Sequence, residues 1–158
     1  MITTPDTLGT LDLSGLPEPQ RLCFYGALFA MAAADRAIDP VEADRVEENL
    51  DLGGLSPEAR KQVLSQAIQP PPLERCLLQL KDAPEEIRRG LMLNLIDVVL
   101  ADDTIEPGEH VGLHQARQIL GLSHDDVAAL HEAAYVAQQT GASKGLRRPI
   151  GLVRPAEA

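Results

Sequence analysis

The chain has 158 residues, enough for one domain with a substantial core, and that core must be mainly aliphatic because the sequence contains two Phe, two Tyr and no Trp. The formal net charge of −10 disfavours nucleic acid as a ligand, since phosphate recognition needs a basic face. Such an acidic charge suits the binding of a cation or of a basic partner, or it serves solubility alone. The N-terminus lacks a signal segment, and the longest apolar run, residues 91–101, is too short to insert in a membrane, so we expect a soluble, cytoplasmic protein.

The first half of the chain predicts helices, and no segment in the whole sequence alternates like a strand. Residues 1–17 contain Thr, Gly and Pro and predict a flexible arm in front of a helical domain over residues 18–139. A first helix is predicted from position 19 to about 35. Asp39 and Pro40 are typical of the start of a second helix, which should end before the glycines at 53–54.

Prolines divide the middle of the chain into three further predicted helices. Ser56 and Pro57 should open the third helix, which continues to about position 69. Prolines at 70–72 forbid its continuation and precede a short fourth helix that ends near Leu80. The fifth helix, from Pro84 to about position 102, is apolar nearly all round, a pattern typical of a helix at the centre of a bundle.

The remaining pattern predicts a sixth helix from Pro107 to about position 120, closed by Gly121, and a seventh from about position 123 to 139. Residues 140–158 lack apolar periodicity and predict a basic flexible tail. The charged residues of this tail are Lys144, Arg147, Arg148 and Arg154, against Glu157.

A 25-residue segment, residues 34–58, recurs without a gap 67 positions later as residues 101–125. Eight positions are identical in the two copies: Ala34/Ala101, Asp35/Asp102, Ile38/Ile105, Pro40/Pro107, Glu42/Glu109, Gly54/Gly121, Leu55/Leu122 and Ser56/Ser123. We therefore expect an all-α, seven-helix bundle built from two helical repeats related by a pseudo-twofold axis.

Both copies place carboxylates at the turn between two helices, and these are the candidate metal ligands. They are Asp35, Asp39 and Glu42 in the first copy, and Asp102, Asp103, Glu106 and Glu109 in the second. Helix capping alone would account for them and is the favoured reading, with metal or partner binding as the alternative. An EF-hand register would put apolar residues at loop positions 1 and 3, where oxygen ligands are needed, which excludes that site. Arg36 weakens the first turn, so a single cation would bind the second.

The turns at 34–42 and 101–109, with the Leu-Gly-Leu-Ser at 120–123 and the seven-helix pattern, resemble the TerB-like family of tellurite-resistance-associated proteins. The resemblance covers roughly residues 20–137. It implies an all-helical bacterial domain linked to stress or metal response, whose acidic residues are proposed to bind divalent cations such as calcium, zinc or manganese. The family commonly has Gly after the Asp, whereas this chain has Arg36 and Asp103 there.

Other polar residues admit a structural and a chemical interpretation. Asp97 and Asn94 lie in the most apolar helix, where we expect them to sit at its edge or to satisfy neighbouring backbone groups. His110 and His114 are four apart and could share a metal, but an exposed face explains them better. Cys23 and Cys76 are 53 positions apart, show no zinc or redox spacing, and are expected to be reduced core residues.

The sequence does not predict an enzyme, because it has no nucleophile elbow and no Gly-rich phosphate loop after a strand. The leading expectation is a TerB-like module that acts by protein–protein interaction, with divalent-cation binding at its acidic turns. The alternative is a metal-independent scaffold or assembly subunit that docks through its N-terminal arm and basic C-terminal tail, and homo-oligomerisation is left open. A catalytic pair of Asp97 with His110 or His114 is a third, weaker hypothesis, which requires an enclosed pocket.

Overall fold

The computed structural model describes residues 15–32, 56–100 and 107–140. Within those ranges the chain forms six helices and no strand, which confirms the all-α prediction. The helices are α1 (Glu18–Ala32), α2 (Pro57–Ile68), α3 (Leu73–Leu80), α4 (Glu85–Leu100), α5 (Pro107–Leu120) and α6 (His124–Thr140). The helix predicted after Pro40 lies outside the described residues, so the count of seven and the pseudo-twofold axis stay predictions.

Helix α2 begins and ends where the sequence predicts. The N-cap Ser56 has extended backbone angles, φ −65° and ψ 159°, and its side chain accepts a hydrogen bond from the Ala59 N–H at 3.1 Å. Pro57 occupies the first helical position, where no N–H is needed. After Gln69, whose N–H donates to the Ser65 carbonyl at 2.8 Å, the three prolines end the helix, and α3 starts directly beyond them.

Helix α5 ends in a Schellman motif at the predicted glycine. The Leu122 N–H donates to the Arg117 carbonyl at 3.1 Å, and the Gly121 N–H donates to the Gln118 carbonyl at 3.3 Å. Gly121 has φ +69°, a conformation that a residue with a Cβ adopts only at a steric cost. The glycine therefore reverses the chain and directs it into α6.

Helix α4 is the centre of the described fold and packs against α1, α5 and α6. Six consecutive residues, 91–96, are at most 3% exposed, so this stretch is covered on every side. The prediction of a central, all-round apolar helix is confirmed. Around it, α1 also packs against α2 and α3, and α3 against α5, which closes a single aliphatic core.

Glycine permits close approach at one contact of α1. A Cβ on Gly26 would lie 2.9 Å from Pro71 Cγ and 3.1 Å from Cys76 Sγ, both closer than atoms normally pack. The backbone of α1 thus lies directly against the α2–α3 connection and the first turns of α3. None of the described helices is both long enough and apolar enough to cross a bilayer.

Candidate functional site

The seven predicted metal ligands fall at two turns, neither of which the structure describes in full. Six of them lie outside the described residues: Asp35, Asp39, Glu42, Asp102, Asp103 and Glu106. The backbone of Glu109 belongs to the first turn of α5, but its side chain is likewise outside the description. The proposed cation site therefore remains a prediction. The acidic turn of the second copy belongs to the connection between α4 and α5, two helices that pack against each other.

The histidine pair of α5 lies on its solvent-facing side. His110 and His114 are both exposed, as the structural interpretation of their spacing predicted. Among the residues that the structure describes, no three His, Cys, Asp or Glu side chains come together in a way that could hold a metal ion. A histidine-based site would therefore have to recruit carboxylates from the neighbouring turn at residues 101–106.

Asn94 has a structural role inside the core. It is 3% exposed, and its Nδ2 donates to the Gly90 carbonyl one turn earlier at 2.7 Å. A buried amide satisfied in this way avoids the cost of an unpaired polar group. The expectation that Asn94 satisfies the neighbouring backbone is confirmed, whereas the side chain of Asp97 lies outside the description.

The two equivalent serines of the sequence repeat both cap helices, but each uses a different carboxylate. At the start of α6, the Asp126 N–H donates to Ser123 Oγ at 3.0 Å and the Ser123 N–H donates to Asp126 Oδ2 at 3.2 Å. These reciprocal bonds form a capping box within one turn. At the start of α2 the residue equivalent to Asp126 is Ala59, so that position has no carboxylate.

Glu18 of α1 supplies the missing acceptor at the start of α2. Its Oε2 accepts from the Ser56 N–H at 3.2 Å, and its Oε1 accepts from the Ser56 hydroxyl at 3.0 Å. The serine is thus held by a carboxylate 38 positions earlier in the chain. Sequence reasoning recognised Ser56 as a cap but missed Glu18, because no local pattern connects the two positions.

Arginines tie α4 to the corner between α5 and α6. Arg88 Nη1 donates to the Leu120 carbonyl at the end of α5 at 2.9 Å, and Arg88 Nε donates to the Ala83 carbonyl at 2.9 Å. Arg89 forms an ion pair with Asp126 at 3.0 Å. The Ser123 N–H, then its hydroxyl, then Arg89 hold the pKa of Asp126 below the usual aspartate value. These charged side chains complete hydrogen bonds of the backbone and of the helix cap, so their role at this corner is structural.

The two cysteines, far apart in sequence, meet at the contact between α1 and α3. Both are free, and each thiol shifts the pKa of the other. Cys76 is 2% exposed, as expected of a core residue, whereas Cys23 is only partly buried. The hydrogen bond from Cys76 lowers the pKa of Cys23 to about 7, against a smaller opposing effect of burial. The same bond, together with burial, raises the pKa of Cys76.

The residues that the structure describes thus define a small all-helical domain with capped helix starts and an aliphatic core. The sequence model of the family described as tellurite resistance protein TerB matches residues 21–132. The match covers most of the chain, and the protein belongs to the TerB family, which confirms the resemblance inferred from the repeated turns. No curated protein and no solved structure matches the chain.

Proposed function

We propose that this protein is a tellurite-resistance-associated helical module that acts by binding another protein, and that a divalent cation at the second acidic turn tunes this binding. The family match over residues 21–132 carries the association with tellurite resistance. The proposal assigns no catalytic step to the chain. Its fold supplies capped helices, on which a binding surface can be presented.

The charge of the chain supports a cation or a basic surface as the complementary group. Net charge is −10, and the second turn combines Asp102, Asp103, Glu106 and Glu109 within eight positions. Carboxylate oxygens are the ligands that calcium and manganese prefer, and an adjacent imidazole such as His110 would favour zinc. The start of α5 would itself oppose a cation through its helix dipole, so several carboxylates are needed there.

A thermal melt with and without metal tests the cation part of the proposal. We expect millimolar calcium, zinc or manganese to raise the melting temperature, because a ligand that binds only the folded state stabilises it. The double variant Asp102→Ala, Glu109→Ala should lose the shift. The matched control, Asp125→Ala with Glu132→Ala, removes the same charge from exposed positions of α6 and should retain it. An unchanged melting temperature with all three cations would rule the cation out.

Affinity capture from a lysate, with and without a chelator, tests the binding part. A partner that is recovered by the wild-type protein and lost with chelator or with the Asp102→Ala, Glu109→Ala variant supports cation-tuned binding. Recovery of the partner that is unchanged by the chelator and by the double variant supports binding without a cation. If no protein is recovered at more than the level of the empty matrix, the module does not act by stable protein–protein interaction under those conditions, and the proposal fails.

The basic C-terminal tail favours a second candidate, a metal-independent scaffold that docks through its terminal segments. Residues 140–158 carry a formal charge of +3, opposite in sign to the rest of the chain. Helix α6 runs to Thr140, so a deletion that tests the tail begins at residue 141. If the tail docks, this deletion abolishes capture of the partner while leaving the helical circular dichroism unchanged, whereas retained capture excludes the tail.

A further inference from the structure

Two free thiols lie on α1 and α3, two helices that pack against each other. Cys23 lies on α1 one turn before Gly26, and Cys76 lies in the first half of α3. Cys76 Sγ lies 3.1 Å from the point that a Cβ on Gly26 would occupy, one turn after Cys23, although 53 positions separate the two cysteines in the sequence. We propose that Cys23 and Cys76 form an oxidation site, at which a hydroperoxide converts the two thiols into an intrachain disulfide that links α1 to α3.

The surrounding packing holds the Cys76 sulfur against α1. Because residue 26 is glycine, Cys76 Sγ lies only 3.1 Å from the point that a Cβ on α1 would occupy. Gln66 Nε2 lies 3.3 Å from the same point, so an amide donor of α2 neighbours the buried sulfur. Cys76 is held in a helix and is 2% exposed, which leaves few side-chain positions other than the one facing α1. The Cys76 sulfur is thus held next to the turn of α1 that follows Cys23.

Burial and charge assign different roles to the two thiols. Cys23 is partly exposed and can meet a small oxidant, and its pKa of about 7 makes much of it thiolate near neutral pH. Cys76 is buried, and donation to Cys23 together with burial raises its pKa, so it stays protonated until the first thiol has reacted. Cys23 therefore attacks the oxidant, and Cys76 resolves the product.

The reaction balances with the hydroperoxide as the only oxidant. The Cys23 thiolate attacks one peroxide oxygen, the O–O bond breaks, and hydroxide leaves, which makes a sulfenic acid on Cys23. The Cys76 sulfur then attacks the Cys23 sulfur, the S–O bond breaks, and hydroxide takes up the Cys76 proton and leaves as water. The first hydroxide also becomes water by taking up a proton from the solvent. Two thiols lose two electrons, and one hydrogen peroxide is reduced to two waters.

Peptide mapping without reductant, after treatment of the full chain with hydrogen peroxide, tests the proposal. We expect one cross-linked species joining the peptides that contain Cys23 and Cys76, and loss of both titratable thiols from the monomer. Reduction with dithiothreitol should restore them. Sulfinic acid on Cys23 without the cross-link, or disulfides that join only separate chains, would overturn the proposal. This measurement needs no variant, so it does not depend on how substitutions affect folding.

Single substitutions separate the two roles. In Cys76→Ser the resolving thiol is absent, so Cys23 sulfenic acid should accumulate and be trapped by dimedone. In Cys23→Ser the remaining thiol is buried and should react with peroxide much more slowly. Equal peroxide reactivity of the two single variants, with both folded by circular dichroism, would contradict the assignment of Cys23 as the attacking thiol.

The pH dependence of alkylation gives a readout that packing alone would not change. The rate of Cys23 alkylation by iodoacetamide should rise through a midpoint near pH 7 in the wild-type protein. Cys76→Ala removes the hydrogen-bond donor, so the midpoint should move to higher pH. An unchanged midpoint in a folded Cys76→Ala protein would show that Cys76 does not activate Cys23, and the paired site would be rejected.

Discussion

Glu18 stabilises a helix that begins 38 positions after it in the chain. Its two carboxylate oxygens accept from the Ser56 N–H and hydroxyl, and the same hydroxyl oxygen accepts from the Ala59 N–H. One serine therefore joins the start of α1 to the start of α2. A charged acceptor strengthens both bonds, and its negative charge also favours the positive end of the α2 dipole.

Truncation of this pair should cost measurable stability. We expect Ser56→Ala and Glu18→Ala each to lower the free energy of unfolding by about 1 to 2 kcal/mol, the usual range for a lost cap or a lost charged hydrogen bond. Urea denaturation of the two single variants and the double variant measures their coupling. Because the two residues share bonds, the double variant should lose less than the sum of the single losses.

The exposed Glu74 in the first turn of α3 is the matched control for Glu18. It occupies a similar first-turn position without joining two helices, so Glu74→Ala should change stability by less than about 0.5 kcal/mol. Strict additivity of Glu18→Ala and Ser56→Ala would show that the two side chains do not act together in solution.

At the scale of helices, Gly26 sets how closely α1 can approach the α2–α3 connection. Its contact with Pro71 is rigid, since the proline ring cannot rotate away from an added methyl group. The equivalent atoms near Gly112 of α5 are Leu73 Cδ2 and Met31 Cε, each 3.0 Å from the added Cβ and each the free end of a flexible side chain. The two glycines therefore differ in how easily their neighbours can yield.

Alanine at the two positions should separate rigid from adaptable contacts. Alanine favours a helix over glycine by about 1 kcal/mol, but overpacking a rigid contact costs about 1 to 3 kcal/mol. We expect Gly26→Ala to destabilise the protein clearly and Gly112→Ala to be near neutral, as measured by urea denaturation. A Gly26→Ala variant more stable than the wild type would contradict the close approach of α1 to Pro71.

The capping box of α6 predicts a pH-dependent contribution to stability. Hydrogen bonds from Ser123 and the charge of Arg89 lower the pKa of Asp126 in the folded state, so the fold favours the ionised carboxylate. This stabilisation is present above the usual aspartate pKa of about 4 and is lost as the pH falls through the lower, folded-state value. Asp126→Asn should therefore be less stable than the wild type at pH 7, with a difference that shrinks below about pH 4.

Urea midpoints at several pH values measure this difference, and the neighbouring Asp125 provides the control. Asp125 is exposed and carries the same charge in the same first turn of α6. Asp125→Asn should thus show only a small, dipole-related effect that depends weakly on pH. A constant difference between Asp126→Asn and the wild type from pH 7 to about pH 3 would contradict the role of the ionised cap.

At the scale of the whole molecule, α4 organises the described helices because its middle is buried on every side. Leu95 is fully buried, and α1, α5 and α6 all pack against its helix. An aliphatic core with few aromatic rings depends on many such leucines, each of which fills volume that its neighbours cannot easily take up.

Leucine truncation at the centre and at the surface should differ strongly. Leu95→Ala leaves a cavity in a packed core and should cost about 2 to 5 kcal/mol. The matched control is Leu78 of α3, which is 47% exposed, so Leu78→Ala should cost less than about 1 kcal/mol. Urea denaturation compares the two variants directly when their m-values are equal. Similar losses for both variants would contradict the central position of α4.

The sequence by itself determined the all-α class, the boundaries of α2, α3 and α5, the central helix, and the family. Each of these depends on local signals: prolines and Ser56 at helix starts, Gly121 at a helix end, and an apolar run too complete for a surface helix. The paired acidic turns are equally clear in the sequence, whereas their binding of a cation remains a prediction.

Only the tertiary structure decided which distant residues meet. Glu18 reaches Ser56, Arg88 reaches the end of α5, and Cys23 reaches Cys76 because helices pack side by side, and this packing brings together side chains that no spacing along the chain relates. Sequence patterns encode contacts within a helical turn, since those repeat every three or four residues. Contacts between helices depend instead on how the whole aliphatic core is filled, and that is a property of the folded molecule.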